Sequence, residues 1–461
     1  MSDNEKVPYN PPALCLFVDE ESSIGPHDAS VVGHGAPHTV ATLSEDSTHT
    51  GGGGTQQLSC DGHQYPEHGW KANLTVLGAF IALFCTFGQT NAFGTFQAWY
   101  AAHQLRHMPA STISWIGSLQ LWTFFFSGAA VGRLFDAYGP TSLMIAGTAC
   151  YLASMVFTSI SNRYYQYILS QGILFGLSVG LLFYPPIASI STHFSRYRAT
   201  AIGIAVAGSS VGGVVYPIIF QRLFEHIGFA WGVRISGLAS GVACIAATMM
   251  VTSLSRQKKP GPYFDVKTIT DLRFALLAAG SCFVALGLFV PFFYIVEYAG
   301  HLSLPNHMSF YVLAVMNAGG VLGRIAPAYI SDNIGRFNLL VPSAFLAGLS
   351  CVVVWLFAKS LGSVMLFSSL YGFFSGAFIS LVTPCVAQIS DIGQIGTRIG
   401  MLYSIISFPS LLGGPTAGAL LARYRGSFSP MIIFAGTSIM VGSLFILASK
   451  FAINKRILAR V

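Results

Sequence analysis

From residue 73 to residue 449 the chain alternates between long apolar runs and short polar breaks. At 1.5 Å per residue, each run can cross a hydrocarbon layer roughly 30 Å thick. The runs fall at 73–99, 113–135, 142–160, 167–191, 199–220, 233–254, 272–297, 309–331, 339–358, 364–389, 399–421 and 430–449, and we number them spans 1 to 12. This pattern predicts an all-α polytopic membrane protein whose even number of crossings returns both termini to one side. Residues 1–69 break the pattern. They are rich in Ser, Thr, Gly, His and Pro, carry GGGG at Gly51–Gly54, and show no amphipathic period. Such a segment buries too little apolar surface to offset its chain entropy and is expected to be a disordered tail. No basic stretch followed by a short apolar run opens the chain, so no signal peptide is expected.

The longest break between spans, 255–271, contains Lys258-Lys259-Pro260-Gly261-Pro262 and divides the spans six and six. The predicted order is therefore a tail (1–69), an N-terminal six-helix bundle (70–254), a linker (255–271), a C-terminal six-helix bundle (272–450) and a short tail (451–461). Composition agrees. Of 461 residues 53% are hydrophobic and only 9% are charged, against about 25% charged in soluble domains. Six of the eight cysteines (Cys85, Cys150, Cys244, Cys282, Cys351 and Cys385) lie within apolar runs and read as small packing residues. No CxxC, HExxH or clustered His set predicts a metal site, and no phosphate-cradling glycine loop ending in Lys-Ser or Lys-Thr predicts ATP use. No cofactor is expected. The six tail histidines read as part of a solvated low-complexity segment.

The net charge of +7 conceals two opposite parts. Residues 1–69 hold ten of the 17 acids and one of the 24 bases, leaving 23 − 7 = +16 for the remainder. Those bases stand singly between apolar runs, which argues against nucleic acid as a partner. With both termini cytoplasmic, seventeen Lys and Arg fall on that side and seven on the other, the bias expected of cytoplasmic loops. An integral membrane protein, in the plasma membrane with cytoplasmic termini, is the expectation. The sequon Asn73-Leu74-Thr75 lies at the cytoplasmic boundary and should stay unmodified.

The two halves echo each other. GRLFDAYGP (Gly132–Pro140) ends span 2 and AYISDNIGR (Ala328–Arg336) ends span 8. An offset of 196 aligns Asp136 with Asp332 and Gly139 with Gly335, while Ala328 stands opposite Gly132. Arg198 and Arg398, 200 residues apart, open spans 5 and 11. A duplicated six-helix unit is the mark of transporters whose halves rock around a midplane site. The glycines permit a sharp turn and close helix approach, and each carboxylate can sit at the positive end of a neighbouring helix, such as span 11. Gly132, Arg133, Asp136, Gly139, Asp332, Gly335, Arg336 and Arg398 are thus candidates for a conformational latch, with an ordinary polar turn as the alternative.

The Gly-x-x-x-Asp-x-x-Gly pattern resembles the cytoplasmic signature of the major facilitator superfamily. Phe194, Arg196, Arg198, Gly203, Gly208 and Gly212 resemble the span-5 signature of its monocarboxylate porter branch, and PEHGWKA (Pro66–Ala72) looks like a degraded form of the segment opening span 1 there. The tail and FGQTNAFGTFQ (Phe87–Gln97) look most like fungal members. The resemblance implies the major facilitator fold, a small-molecule substrate with coupled protons as an option, and export of a secondary metabolite as a further option.

Arg324 lies eight residues before Asp332, about 12 Å up the helix. A cation at that depth costs at least about 2.5–3.5 kcal/mol if it faces lipid, so it should face a cavity and could hold a carboxylate bidentately. Snorkelling to the interface is the alternative. In the branch it resembles, an arginine at this spacing implies substrate-carboxylate binding. Two departures follow. The branch's span-8 aspartate falls on Gly320 and its span-1 lysine on or near Asn91. Asn91, Gln89 and Asn317 are candidate neutral contacts to substrate, or bridges between helices. Glu297 is a candidate proton relay, or an interfacial carboxylate. Pro185, Pro186, Pro217, Pro291, Pro384 and Pro415 interrupt spans, as kinks or as cavity-lining breaks. A secondary transporter for a small organic acid or carboxylate-bearing metabolite is the leading expectation. A transporter-like sensor without net transport stands second, and the scarcity of intramembrane His, Asp and Glu argues against an enzyme.

Overall fold

A computed structural model describes residues 69–108, 110–254, 270–302, 306–390 and 394–455. The predicted tail up to residue 68, the linker over 255–269 and the chain end from 456 lie outside them. The described chain is helical, with no strand among the described residues. Eleven helices among the described residues are long and apolar enough to cross a membrane. Span 1 is Trp70–Asn91, extended by Phe93–Ala102. Span 3 is Pro140–Ile160, span 4 Tyr164–His193, span 5 Arg198–Ile227 and span 6 Phe229–Met250. Span 7 is Leu272–His301, span 8 Asn306–Ile334 and span 9 Arg336–Phe357. Span 10 is Leu361–Gln388, span 11 Ile395–Arg423 and span 12 Ser429–Ile453. The twelfth crossing expected from the sequence, span 2, is a broken pair, Ala110–Phe126 and Gly128–Tyr138. Neither piece is long enough alone. Backbone bonds from Ser127 N–H to Thr123 and from Val131 N–H to Ser127 carry the chain through the break.

The ends of these helices follow from the sequence. Gly139 and Gly335 adopt φ of 76° and 113°, a region closed to most side chains, and so stop spans 2 and 8 at the repeat-related position. Pro140 then opens span 3 at the first helical position, where no donor is lost. Pro291 is the second residue of the outer piece of span 7, also within the first turn, and the span bends at Phe289. Span 4 widens into a π-helical stretch over Ile168–Phe175.

The outer faces are apolar. Trp231, Leu238, Val242, Ile245 and Met249 project from span 6 at helical spacing and are 50–81% exposed, a surface that only lipid solvates well. Within the N-terminal half span 1 packs on spans 4, 5 and 6, and span 3 on spans 4 and 6; within the C-terminal half span 8 packs on span 10, and span 12 on spans 7 and 9. Two pairs carry most of the contact between halves: span 2 with span 11, and span 5 with span 8.

Candidate functional site

The glycine-spaced helices bring backbones together at both seams. A methyl group added to Gly132 would lie 2.0 Å from the Gly396 carbonyl oxygen, and one added to Gly203 would lie 2.3 Å from the Arg324 carbonyl oxygen. Only small residues allow this approach. Ala328, the departure from the first copy's glycine, is fully buried with its methyl facing Gly203. The close packing places each repeat aspartate over the first turn of the facing helix. Asp136 accepts from the Gly396 and Thr397 amides at 3.1 and 2.7 Å and from the Thr397 hydroxyl at 2.6 Å. Asp332 accepts from the Ala199 and Thr200 amides at 3.1 and 2.7 Å and from the Thr200 hydroxyl at 2.7 Å. Orphan N–H groups and the helix dipole favour a carboxylate there.

The arginines organise the turns that present these helix ends. Arg198 donates through Nε to the Phe194 carbonyl at 2.9 Å, and Arg398 through Nη1 to the Ile389 carbonyl at 2.6 Å. Phe194 and Ile389 are the C-terminal caps of spans 4 and 10, so each arginine ties its span to the end of the preceding one. The aspartate contacts set the structural offset between spans 5 and 11 at 197, so Arg198 and Arg398 do similar work from positions that are not equivalent. Arg336 pairs with Asp332 at 3.2 Å and also donates to the Ser195 carbonyl. Arg196 is exposed and lies over the Tyr197 ring. Gly208 and Gly212 pack on the Phe80 and Phe84 carbonyls of span 1, inside the N-terminal half.

Further into the membrane the seams differ. Arg324, only 4% exposed, reaches from span 8 to span 5 and donates through Nη1 to the Val206 carbonyl and the Ser209 hydroxyl. Its Nε has no partner, and neither has the buried Ser210 hydroxyl, among the described residues. Both residues line one small cavity with Phe292, Met316, Asn317 and Gly320. Its volume is about 10 Å³, roughly the space of one water. Gly320 is packed against span 10 at Gly372 and Gly376, with Ser210 beside it. No carboxylate therefore stands one turn before Arg324, and no ion pair to it occurs among the described residues.

Of the other candidates, Asn91 donates to the Ser209 carbonyl at 3.3 Å, and Gly213 separates it from Asn317. These two join Arg324 on the span 5 seam. Gln89 does not. It turns into the N-terminal bundle, donating to the Tyr151 hydroxyl at 2.6 Å and the Ser240 hydroxyl at 3.0 Å. Glu297 lies exposed on the outer piece of span 7, without a hydrogen bond or ion pair among the described residues. Asp136, Asp332 and their partners form a separate level of the molecule, marked by the positive-φ glycines.

Sequence reasoning missed three things. Thr200 and Thr397 complete the aspartate contacts, and their place close to an arginine, two residues after Arg198 and one before Arg398, was a usable signal. Ser404 of span 11 inserts into the break in span 2: its hydroxyl accepts from the Ala129 amide at 2.8 Å and donates to the Phe126 carbonyl at 2.8 Å. Finally, rings from both halves meet around Tyr403. Beyond Trp122–Phe408, Phe126–Phe408 and Phe125–Phe289, no hydrogen bond or ring contact joins the halves toward the end away from Asp136 and Asp332, among the described residues. The molecule is closed at the aspartate end.

Similarity to known proteins agrees with this architecture. Residues 79–366 match the model of the Major Facilitator Superfamily. An MFS-type transporter of Gibberella moniliformis is 36% identical over 394 residues, covering 85% of this chain and 93% of that protein. The agnestins efflux protein of Paecilomyces divaricatus is also 36% identical over 394 residues, 85% of this chain and 90% of that one. Among solved structures, the proton:xylose symporter XylE matches with a TM-score of 0.68 at 11% identity, over 82% of this chain and 95% of that one, a likeness of fold alone. The duplicated bundles, the paired aspartate seams and these relatives together establish that the chain belongs to the major facilitator superfamily.

Proposed function

We propose that this transporter exports a carboxylate-bearing metabolite by alternating access, with Arg324 as the anion anchor. One observation carries the reading: a buried guanidinium whose Nε is unpartnered, with no ion pair among the described residues. An uncompensated buried charge costs several kcal/mol, and an anionic ligand would relieve that cost with charge-assisted bonds. Asn91, Asn317 and Ser210 supply neutral contacts around it. The relative named for agnestins efflux supports export. The relatives are not named for monocarboxylates, so the likeness to that branch enters here only as support for a carboxylate. On this reading the Asp136 and Asp332 contacts are latches that hold the cytoplasmic end shut, in the plasma membrane, and the Lys and Arg bias supports that orientation.

The test is metabolite profiling of medium and cells for the wild type, a deletion strain and Arg324→Gln at matched membrane abundance. Charge-assisted bonds of about 1.5–3 kcal/mol correspond to a ten- to hundredfold loss of export. The expected result is one anionic compound retained in cells in both altered strains. Wild-type secretion by Arg324→Gln would remove the anchor, and loss of uptake instead of secretion would reverse the direction.

A further inference from the structure

A ring cluster straddles the two bundles beside the Arg324 cavity. Phe125 of span 2 lies parallel to Tyr403 of span 11, with centroids 5.8 Å and planes 6° apart. Phe183 and Tyr184 of span 4 approach Tyr403 at 5.7 and 5.6 Å, and Phe125 meets Phe289 of span 7 at 6.0 Å. Phe125, Phe183, Tyr184 and Tyr403 are all buried. The cluster adjoins the cavity in two ways. Tyr403 bonds Thr383 of span 10, two turns along the helix from Ser375 and Gly376, which line the cavity. Phe289 stands one turn from Phe292, which lines the cavity.

A seal needs only apolar bulk, and aliphatic side chains would provide it. This seam is instead built of rings, whose quadrupoles favour other rings in offset or edge-on contact. Two of them are held in plane by hydroxyl contacts, Tyr403 with Thr383 at 3.0 Å and Tyr184 to the Phe124 carbonyl at 3.2 Å. Phe125 and Tyr403 belong to opposite halves, so their stacking is lost when the halves part, and each then presents a free, oriented face.

We propose that Phe125 and Tyr403 form an aryl wall of the Arg324 site, so that the transported anion is a planar aromatic carboxylate. The inference rests on the Arg324 reading. Bound, the ligand ring takes the place each aromatic side chain otherwise fills for the other, while the carboxylate reaches Arg324. Unbound, the two side chains stack and close the path.

The experiment compares 2-naphthoate with decahydro-2-naphthoate, the same carbon skeleton without the flat ring, by equilibrium binding to the purified full chain in nanodiscs. Wild type is expected to bind 2-naphthoate about tenfold more tightly, the effect of two ring contacts. Phe125→Leu and Tyr403→Leu should bring the ratio near one while keeping the affinity for the saturated acid, which also reports that they fold. Arg324→Gln should weaken both acids equally. A wild-type ratio near one, failure of wild type to bind 2-naphthoate, or a ratio that survives both leucine variants overturns the aryl wall. Undiminished binding of both acids by Arg324→Gln would instead overturn the anchor.

Discussion

The seam between spans 2 and 11 and the seam between spans 5 and 8 begin alike and end differently. At the aspartate end the contacts match atom for atom: a carboxylate, two amides and a threonine hydroxyl. Two helical turns deeper, the first seam has Gly128 packed on the Gly400 carbonyl and Ser404 in the break of span 2. At the position equivalent to Gly128 the second seam has Arg324, which crosses to span 5. The second seam also has Arg336 on its aspartate, where the offset of 196 puts Pro140 in the first. At this depth the first seam is neutral. The other contains a cation with spare bonding capacity. Duplication thus supplies the mechanical contact twice, and sequence divergence places the charge that can sense an anion in one copy only.

The largest expected difference between the seams comes from neutralising the aspartates. Asp332→Asn leaves the buried Arg336 without its carboxylate, a loss of about 3–5 kcal/mol, moderated by the bond from Arg336 to Ser195. Asp136→Asn weakens three hydrogen bonds to a charged acceptor, about 1.5–3 kcal/mol. Thermal unfolding in detergent should show the larger drop for Asp332→Asn, with partial recovery on adding Arg336→Gln. Equal drops would mean the ion pair adds nothing. Next come the points of closest approach. Gly132→Ala and Gly203→Ala each press a methyl into a backbone carbonyl, costing the closed arrangement about 1–3 kcal/mol. Both should slow flux to a similar degree at matched expression, since both obstructing atoms are main chain. The smallest effect is expected of Ser404→Ala. It leaves the Ala129 amide without that acceptor and should cost about 1 kcal/mol. Hydrogen exchange should quicken at Ala129 and its neighbours in span 2 but not in span 8.

Much of this was legible in the chain. Run lengths gave twelve spans, eleven of which are single long helices with most ends within a few residues of those expected, because burying the backbone in lipid leaves helices as the only option here. The repeat of Asp136 and Asp332 and the depth of Arg324 were visible as charges where charges are costly. The break at Ser127 was not, since its groups are satisfied by Ser404, 277 residues away in sequence (404 − 127). Gln89 looked like Asn91 in sequence yet faces the opposite way. Two residues of separation on a helix turn a side chain by about 200°, and nothing local says which face meets the other half. The Phe125–Tyr403 stack was hidden for the same reason: aromatic residues fill every span, and only the pairing of helices singles these out.

The claim at the centre of this account is that an anion at Arg324 governs which end of the molecule is open. Double electron–electron resonance tests it directly, with spin labels at Tyr138 and Asn333 for the aspartate end and at Glu225 and Tyr424 for the far end, all exposed in the structure. On adding 2-naphthoate, the two label pairs should change distance in opposite senses, and Arg324→Gln should remove the response. A response of the same size in Arg324→Gln, or distances that shift together at both ends, would contradict it.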